Sequence, residues 1–98
     1  MIGVLIRAEV GANQRHELMQ MCNSWLASNH LPAACLERRV YQDAISPTHL
    51  LLVEQWSDKE AMKAYLSSEP FRALIGAVKV LGKLVDVCIC EAEVIEAG

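Results

Sequence analysis

Leu50–Leu81, LLLVEQWSDKEAMKAYLSSEPFRALIGAVKVL, is the stretch whose reading decides the fold. Leu50-Leu51-Leu52-Val53 is an apolar run of strand length, and Glu54, Gln55 and Trp56 complete it. The chain then breaks into a helix. Ser57-Asp58-Lys59-Glu60 reads as a capping box, with the Ser57 hydroxyl taking a backbone N–H and Glu60 reaching back. Ser68-Glu69-Pro70 repeats the start signal with a hydroxyl, an acid and a first-turn proline. The stretch therefore predicts a strand over 49–56, a short helix over 58–66 and a second helix over 69–82, entered at an angle. Met62, Tyr65 and Leu66 form the apolar stripe of the first helix, and Phe71, Leu74, Ile75 and Val78 that of the second. Gly82 is placed to stop it.

Upstream, residues 2–10 alternate, with Ile2, Val4, Ile6, Ala8 and Val10 on one face and Gly3, Leu5, Arg7 and Glu9 on the other. This is a strand with one wholly apolar face. Asn13 is a cap for the next helix, Gln14–Ser28, whose stripe is Leu18, Met21, Cys22, Trp25 and Leu26. Asn29-His30-Leu31-Pro32 ends that helix. Residues 33–42 form a second strand, with Cys35, Glu37, Arg39 and Tyr41 on one side and Leu36, Arg38 and Val40 on the other; charges on both sides place it at a sheet edge. Residues 84–95 form a last strand, apolar on both faces from Leu84 to Cys90.

Strand, helix, strand, strand, helix, strand is the ferredoxin-like split βαβ order of an α+β domain. It implies an antiparallel four-stranded sheet in the order 4-1-3-2 with the helices on one face. Leu5, Leu51, Val53, Val85, Val87 and Ile89 are read as apolar groups on the second face. Leaving them wet costs several kcal/mol at ~25 cal/mol per Å², so a homodimer packed sheet to sheet is expected, or an apolar ligand lying on the sheet.

The chain has 98 residues, and residues 1–98 read as one domain. An apolar fraction of 53% excludes disorder. Net charge is −3, and no basic run exceeds Arg38-Arg39, so nucleic acid is not expected as a partner. Nothing reads as a signal segment or a membrane span, and a cytoplasmic location is expected. Cys22, Cys35, Cys88 and Cys90 are expected to be reduced and buried; Cys88 and Cys90 share one strand face. His16, His30 and His49 have no metal-ligand spacing, so no metal is expected. No Gly-rich phosphate loop or nucleophile elbow is present.

Glu54-x-Trp56-x-Asp58-x-Glu60-Ala61, then Tyr65-Leu66-x-Ser68 and Phe71, resembles the antibiotic biosynthesis monooxygenase family. Element order matches over the whole chain, and motif-level identity runs from Leu52 to Leu74. The resemblance implies a dimeric α+β barrel, and cofactor-free oxygenation of hydroxylated polycyclic aromatics or quinols, so no cofactor is expected. Tyr65 stands where a histidine is common. The haem-degrading branch has a histidine where this chain has Ile75 and a first-strand asparagine where it reads Ile6-Arg7-Ala8, which tells against haem degradation.

Tyr65 is the candidate catalytic group, able to position or deprotonate a phenolic substrate; the alternative is a core tyrosine bonded to a carbonyl. Trp56, Glu54, Arg7 and Phe71 are the candidate substrate-binding residues. Trp56 either stacks on a flat ligand or closes the core. Glu54 is expected to meet Arg7 from the first strand, as a ligand clamp or as an ordinary cross-strand pair. Two function classes stand: an oxygenase for a reduced or hydroxylated aromatic, and a non-catalytic homodimeric small-molecule binder.

Overall fold

The computed structural model describes residues 1–28 and 31–98. Its elements are strand β1 (Ile2–Glu9), helix α1 (Arg15–Leu26), strands β2 (Cys35–Gln42) and β3 (His49–Trp56), helices α2 (Lys59–Leu66) and α3 (Glu69–Leu81), and strand β4 (Lys83–Glu91). The strands pair antiparallel in the order β2-β3-β1-β4, the expected ferredoxin-like arrangement. The core lies between sheet and helices. Val4, Ile6 and Ala8 of β1 and Leu50, Leu52 and Trp56 of β3 meet Leu18, Cys22 and Trp25 of α1, Met62 and Tyr65 of α2, and Leu74 and Val78 of α3.

The local signals act as expected in most places and shift in a few. Ser68 caps α3, its Oγ accepting from the Phe71 N–H at 3.4 Å, with Pro70 in the first turn. At α2 the cap is Asp58 instead of Ser57. Asp58 Oδ2 accepts from the Ala61 N–H at 3.0 Å, while the Ser57 N–H and hydroxyl both turn to the Ala34 carbonyl, at 2.9 and 3.4 Å. Asn13 does not cap α1. It sits inside a 3-10 turn over Ala12–Gln14, and Gln14 occupies the cap position without a side-chain bond. The expected helix stop at Asn29-His30 and the loop position of His30 lie outside the described residues.

Gly82 ends α3 for a reason other than the left-handed turn expected of a stop glycine. Its backbone is extended (φ −160°, ψ −143°), and a Cβ there would overlap the Glu9 carbonyl oxygen. The glycine permits close approach of α3's exit to the end of β1.

The sheet corrects four readings. β4 ends at Glu91 instead of residue 95, because among the described residues β1 supplies its only partner and Glu91 already faces Ile2. A register shift between Cys35 and Glu37 turns Cys35 away from the Glu37 side to face Trp56, where it packs against the core. Val87 and Ile89 lie opposite Ile6 and Val4, so they belong to the helix side, at an edge the helices leave 39% and 53% exposed. The outer face of β4 instead carries Cys88 and Cys90, opposite Leu5 and Gly3. All four cysteines are free; Cys22 is buried as expected, Cys35 and Cys88 are only partly buried, and Cys90 is exposed because β4 is an edge strand on an uncovered face. Among the described residues no helix is long and apolar enough to cross a membrane.

Candidate functional site

Two charges stand on the core-facing side of the sheet. Glu54 falls between Leu52 and Trp56 on β3, and the β2–β3 register sets Arg38 directly opposite it. Glu54 is fully buried and the Arg38 side chain only 6% exposed. Isolated charges in such surroundings are prohibitively costly, so each requires the other. Arg38 Nε donates to Glu54 Oε2 at 2.8 Å. Its Nη1 donates to the Trp25 carbonyl in the last turn of α1 at 3.0 Å, and its Nη2 to the Tyr65 hydroxyl on α2 at 2.9 Å. One guanidinium thus ties both helices to the sheet.

Aromatic rings enclose it. Arg38 Cζ lies 4.7 Å from the Trp25 ring centroid and 5.4 Å from that of Tyr65, a stacking arrangement that favours the cation in a dry site. Tyr65 in turn packs against Trp56 at 5.2 Å and meets Phe71 edge-on at 5.5 Å. Burial pushes the Glu54 carboxyl above its ordinary pKa, with the neighbouring Arg38 charge and hydrogen bond opposing. The Tyr65 phenol is raised as well, by burial first and then by the Glu54 charge.

Above this cluster a cleft of about 810 Å³ opens between α1 and the α2–α3 pair. Its walls are small or apolar, with Ala61, Ala64, Ala73 and Ala77 along α2 and α3 and Trp25 on α1, and Arg38 and Tyr65 are among the polar groups that reach it. The volume suits a ligand of two or three fused rings. Alanines at these positions are what keep the space open.

Of the residues singled out from sequence, Tyr65 lines the cleft. Glu54 and Trp56 join the same cluster from behind it, contacting Arg38 and Tyr65. Phe71 touches the Tyr65 ring but opens on a separate shallow groove with Leu66 and Ile75. Arg7 does not belong here. It lies on the outer face of the sheet, opposite Leu51, and forms a bidentate pair with Asp86 of β4, its Nε donating at 2.8 Å. The expected Arg7–Glu54 pair is therefore absent, because the two side chains project from opposite faces. Arg38 and Trp25 were missed as site residues. A signal existed: Arg38 shares the parity of Val40, and Glu54 that of Leu52 and Trp56, so each strand places one charge, of opposite sign, on an apolar face.

The antibiotic biosynthesis monooxygenase family model matches residues 1–77. A Deinococcus radiodurans protein described as a candidate antibiotic biosynthesis monooxygenase superimposes with a TM-score of 0.79 at 26% identity, over 99% of this chain and 95% of that one. One from Chloroflexus aurantiacus with the same description gives a TM-score of 0.70 at 23% identity, over 99% and 96%. A conserved Methanosarcina mazei protein gives 0.80 at 20% identity, over 94% and 92%; these last two speak for the fold alone. The chain has no match among curated proteins.

Proposed function

The chain belongs to the antibiotic biosynthesis monooxygenase family, and from that premise we propose that it is an oxygenase for a reduced or hydroxylated, quinol-like aromatic bound in the cleft between α1 and α2–α3. The observation that carries this reading is the convergence of Tyr65 and Arg38 at an open, largely apolar cleft. A flat aromatic is enclosed by Trp25 and the alanine walls, with a ring oxygen directed at the polar groups. In overall balance, one ring C–H of the quinol becomes C–OH and its two hydroxyls become carbonyls, so quinol and O2 give hydroxyquinone and water; one oxygen atom enters the product and the other leaves as water. The substrate supplies all four electrons, and its anion is the species that reacts. The protein's part is to exclude water, orient the ring and favour the anion.

Oxygen uptake with a panel of quinols and hydroxylated polycyclic phenols tests this. Uptake above background is expected, and Ala73→Trp, which fills the cleft from an exposed helix position, is expected to lower it at least about tenfold with little change in melting temperature. Binding of the same compounds without uptake would favour the second function class, a non-catalytic binder. No binding and no uptake would sink both.

We further propose that two copies pair through the outer sheet face. The half-buried Leu5, Leu51 and Val53 lie there, and no element among the described residues covers them. Sedimentation equilibrium is expected to give twice the chain mass for the wild type and a monomer for Val53→Arg, since a charge at the centre of an apolar interface is left unpaired. A monomeric wild type at micromolar concentration would overturn this assembly.

A further inference from the structure

The Arg38 cluster leaves three buried polar atoms without a hydrogen-bond partner among the described residues: Glu54 Oε1 and the indole nitrogens of Trp25 and Trp56. Buried orphans of this kind are uncommon and concentrate where a site is incomplete. Glu54 is the one acceptor among them. Its other oxygen is held by Arg38, and it does not itself line the cleft. Tyr65 does, and its ring stands against the cluster that holds the carboxylate.

The hydroxyl of Tyr65 has one proton and two lone pairs. Arg38 Nη2 occupies a lone pair, so the proton is directed to some other acceptor. The ionisable groups facing Tyr65 are Glu54 from β3 and Arg38 from β2, and those facing Glu54 are Arg38 and Tyr65. Cys35 on β2 also senses the Glu54 charge, but its thiol is pushed up by burial and offers no competing anion. Of this set only Glu54 has a carboxylate oxygen without a hydrogen-bond partner, and Arg38 holds that carboxylate and the Tyr65 hydroxyl on one guanidinium; the Trp56 indole is the other group drawn to the carboxylate.

We propose that Glu54 is the proton acceptor of the cleft, reached through Tyr65, and that the cleft takes a hydroxyaromatic as the neutral phenol and converts it to the phenolate. The inference rests on the aromatic-substrate reading and deepens it. In the step, the substrate O–H proton passes to the Tyr65 oxygen while the Tyr65 proton passes to Glu54 Oε1. No electrons are transferred. The negative charge moves from Glu54 to the substrate oxygen and stays within reach of Arg38, which touches both the carboxylate and the cleft. Burial of Glu54 brings its proton affinity nearer that of a phenol, whose free value is about 10, and so reduces the uphill part of the transfer.

The probe is 4-nitrophenol, whose phenolate absorbs apart from the phenol, added to the wild-type protein about one unit below its own pKa, where about nine-tenths of the free probe is neutral. Bound probe is expected to be mostly phenolate, and the infrared difference spectrum on binding is expected to gain a protonated carboxylic-acid C=O band. Both signatures are expected to vanish in Tyr65→Phe and in Glu54→Gln, with the probe still bound as the phenol. The acid limb of kcat/KM against pH for an oxidisable phenol is expected to move up to the phenol's own pKa in Glu54→Gln, where only substrate already ionised reacts. If Glu54→Gln does not fold, the wild-type carboxyl band and its loss in Tyr65→Phe decide. Probe bound as the phenol in the wild type, or ionised with no new carboxyl band, would overturn the relay and leave the aromatic site standing. Failure of the probe and of the whole phenol panel to bind would instead overturn the aromatic site, and the relay with it.

Discussion

Arg38→Met is expected to destabilise the protein by about 3–5 kcal/mol at neutral pH, because it leaves the Glu54 carboxylate buried without its partner. Methionine keeps the apolar stem of arginine, so the loss reports charge and hydrogen bonds more than packing. Three anchors go at once: those to Glu54, to the end of α1 and to Tyr65. The pH dependence gives the expectation its sign. Glu54 already has a folded pKa raised above its unfolded value, so the folded state binds more protons between the two. Stability from this group is then full below the ordinary glutamate pKa and is lost as pH rises through the folded value. Without Arg38 the folded pKa rises further and the window widens. Urea midpoints of variant and wild type are thus expected to differ most at about pH 7 and to converge as pH falls to the ordinary glutamate value of about 4.3, where Glu54 enters the core neutral. An equal gap at both pH values would show that Glu54 does not carry the effect.

Tyr65→Phe is expected to lower kcat/KM for oxygen uptake by about 10²–10⁴-fold, the range for loss of a positioned proton-transfer group. The ring contacts with Trp56 and Phe71 survive the change. Only the hydroxyl is lost, and with it the acceptor for Arg38 Nη2, so the stability cost is expected to be about 1–3 kcal/mol. The separation of the two effects is the informative part. A folded variant that takes up oxygen within about threefold of wild type would remove Tyr65 from the reaction and return it to the core-tyrosine reading.

The fold was legible because several local signals agreed with one another. Alternation over 2–10 and 49–56, the apolar stripe of α1, and the Ser68-Glu69-Pro70 start of α3 each specify one element, and their order admits few topologies. Errors fell where a local signal had competition. Ser57 has the right chemistry for a cap, but the Ala34 carbonyl claims it across the β2–β3 edge. Cys35 has the right parity for one face, but the irregularity before Glu37 reverses it.

The site was half legible. Tyr65, Glu54 and Trp56 stood out within one continuous motif and do gather in space. From sequence Arg38 reads as an edge charge, because its worth depends on a residue 16 positions away. Parity within each strand shows that Arg38 and Glu54 lie on apolar faces; it does not show that they lie opposite each other. Strand order and the inward faces of β1 and β3 follow from the sequence alone, since burying an alternating apolar set is worth far more than any competing arrangement, whereas β4, apolar on both faces, has its inward side decided by register. Which charges pair, and whether the helices leave a cleft, was decided by tertiary structure. Register sets Arg38 rather than Arg7 against Glu54, and the four alanines open space only once α1 stands across from α2 and α3.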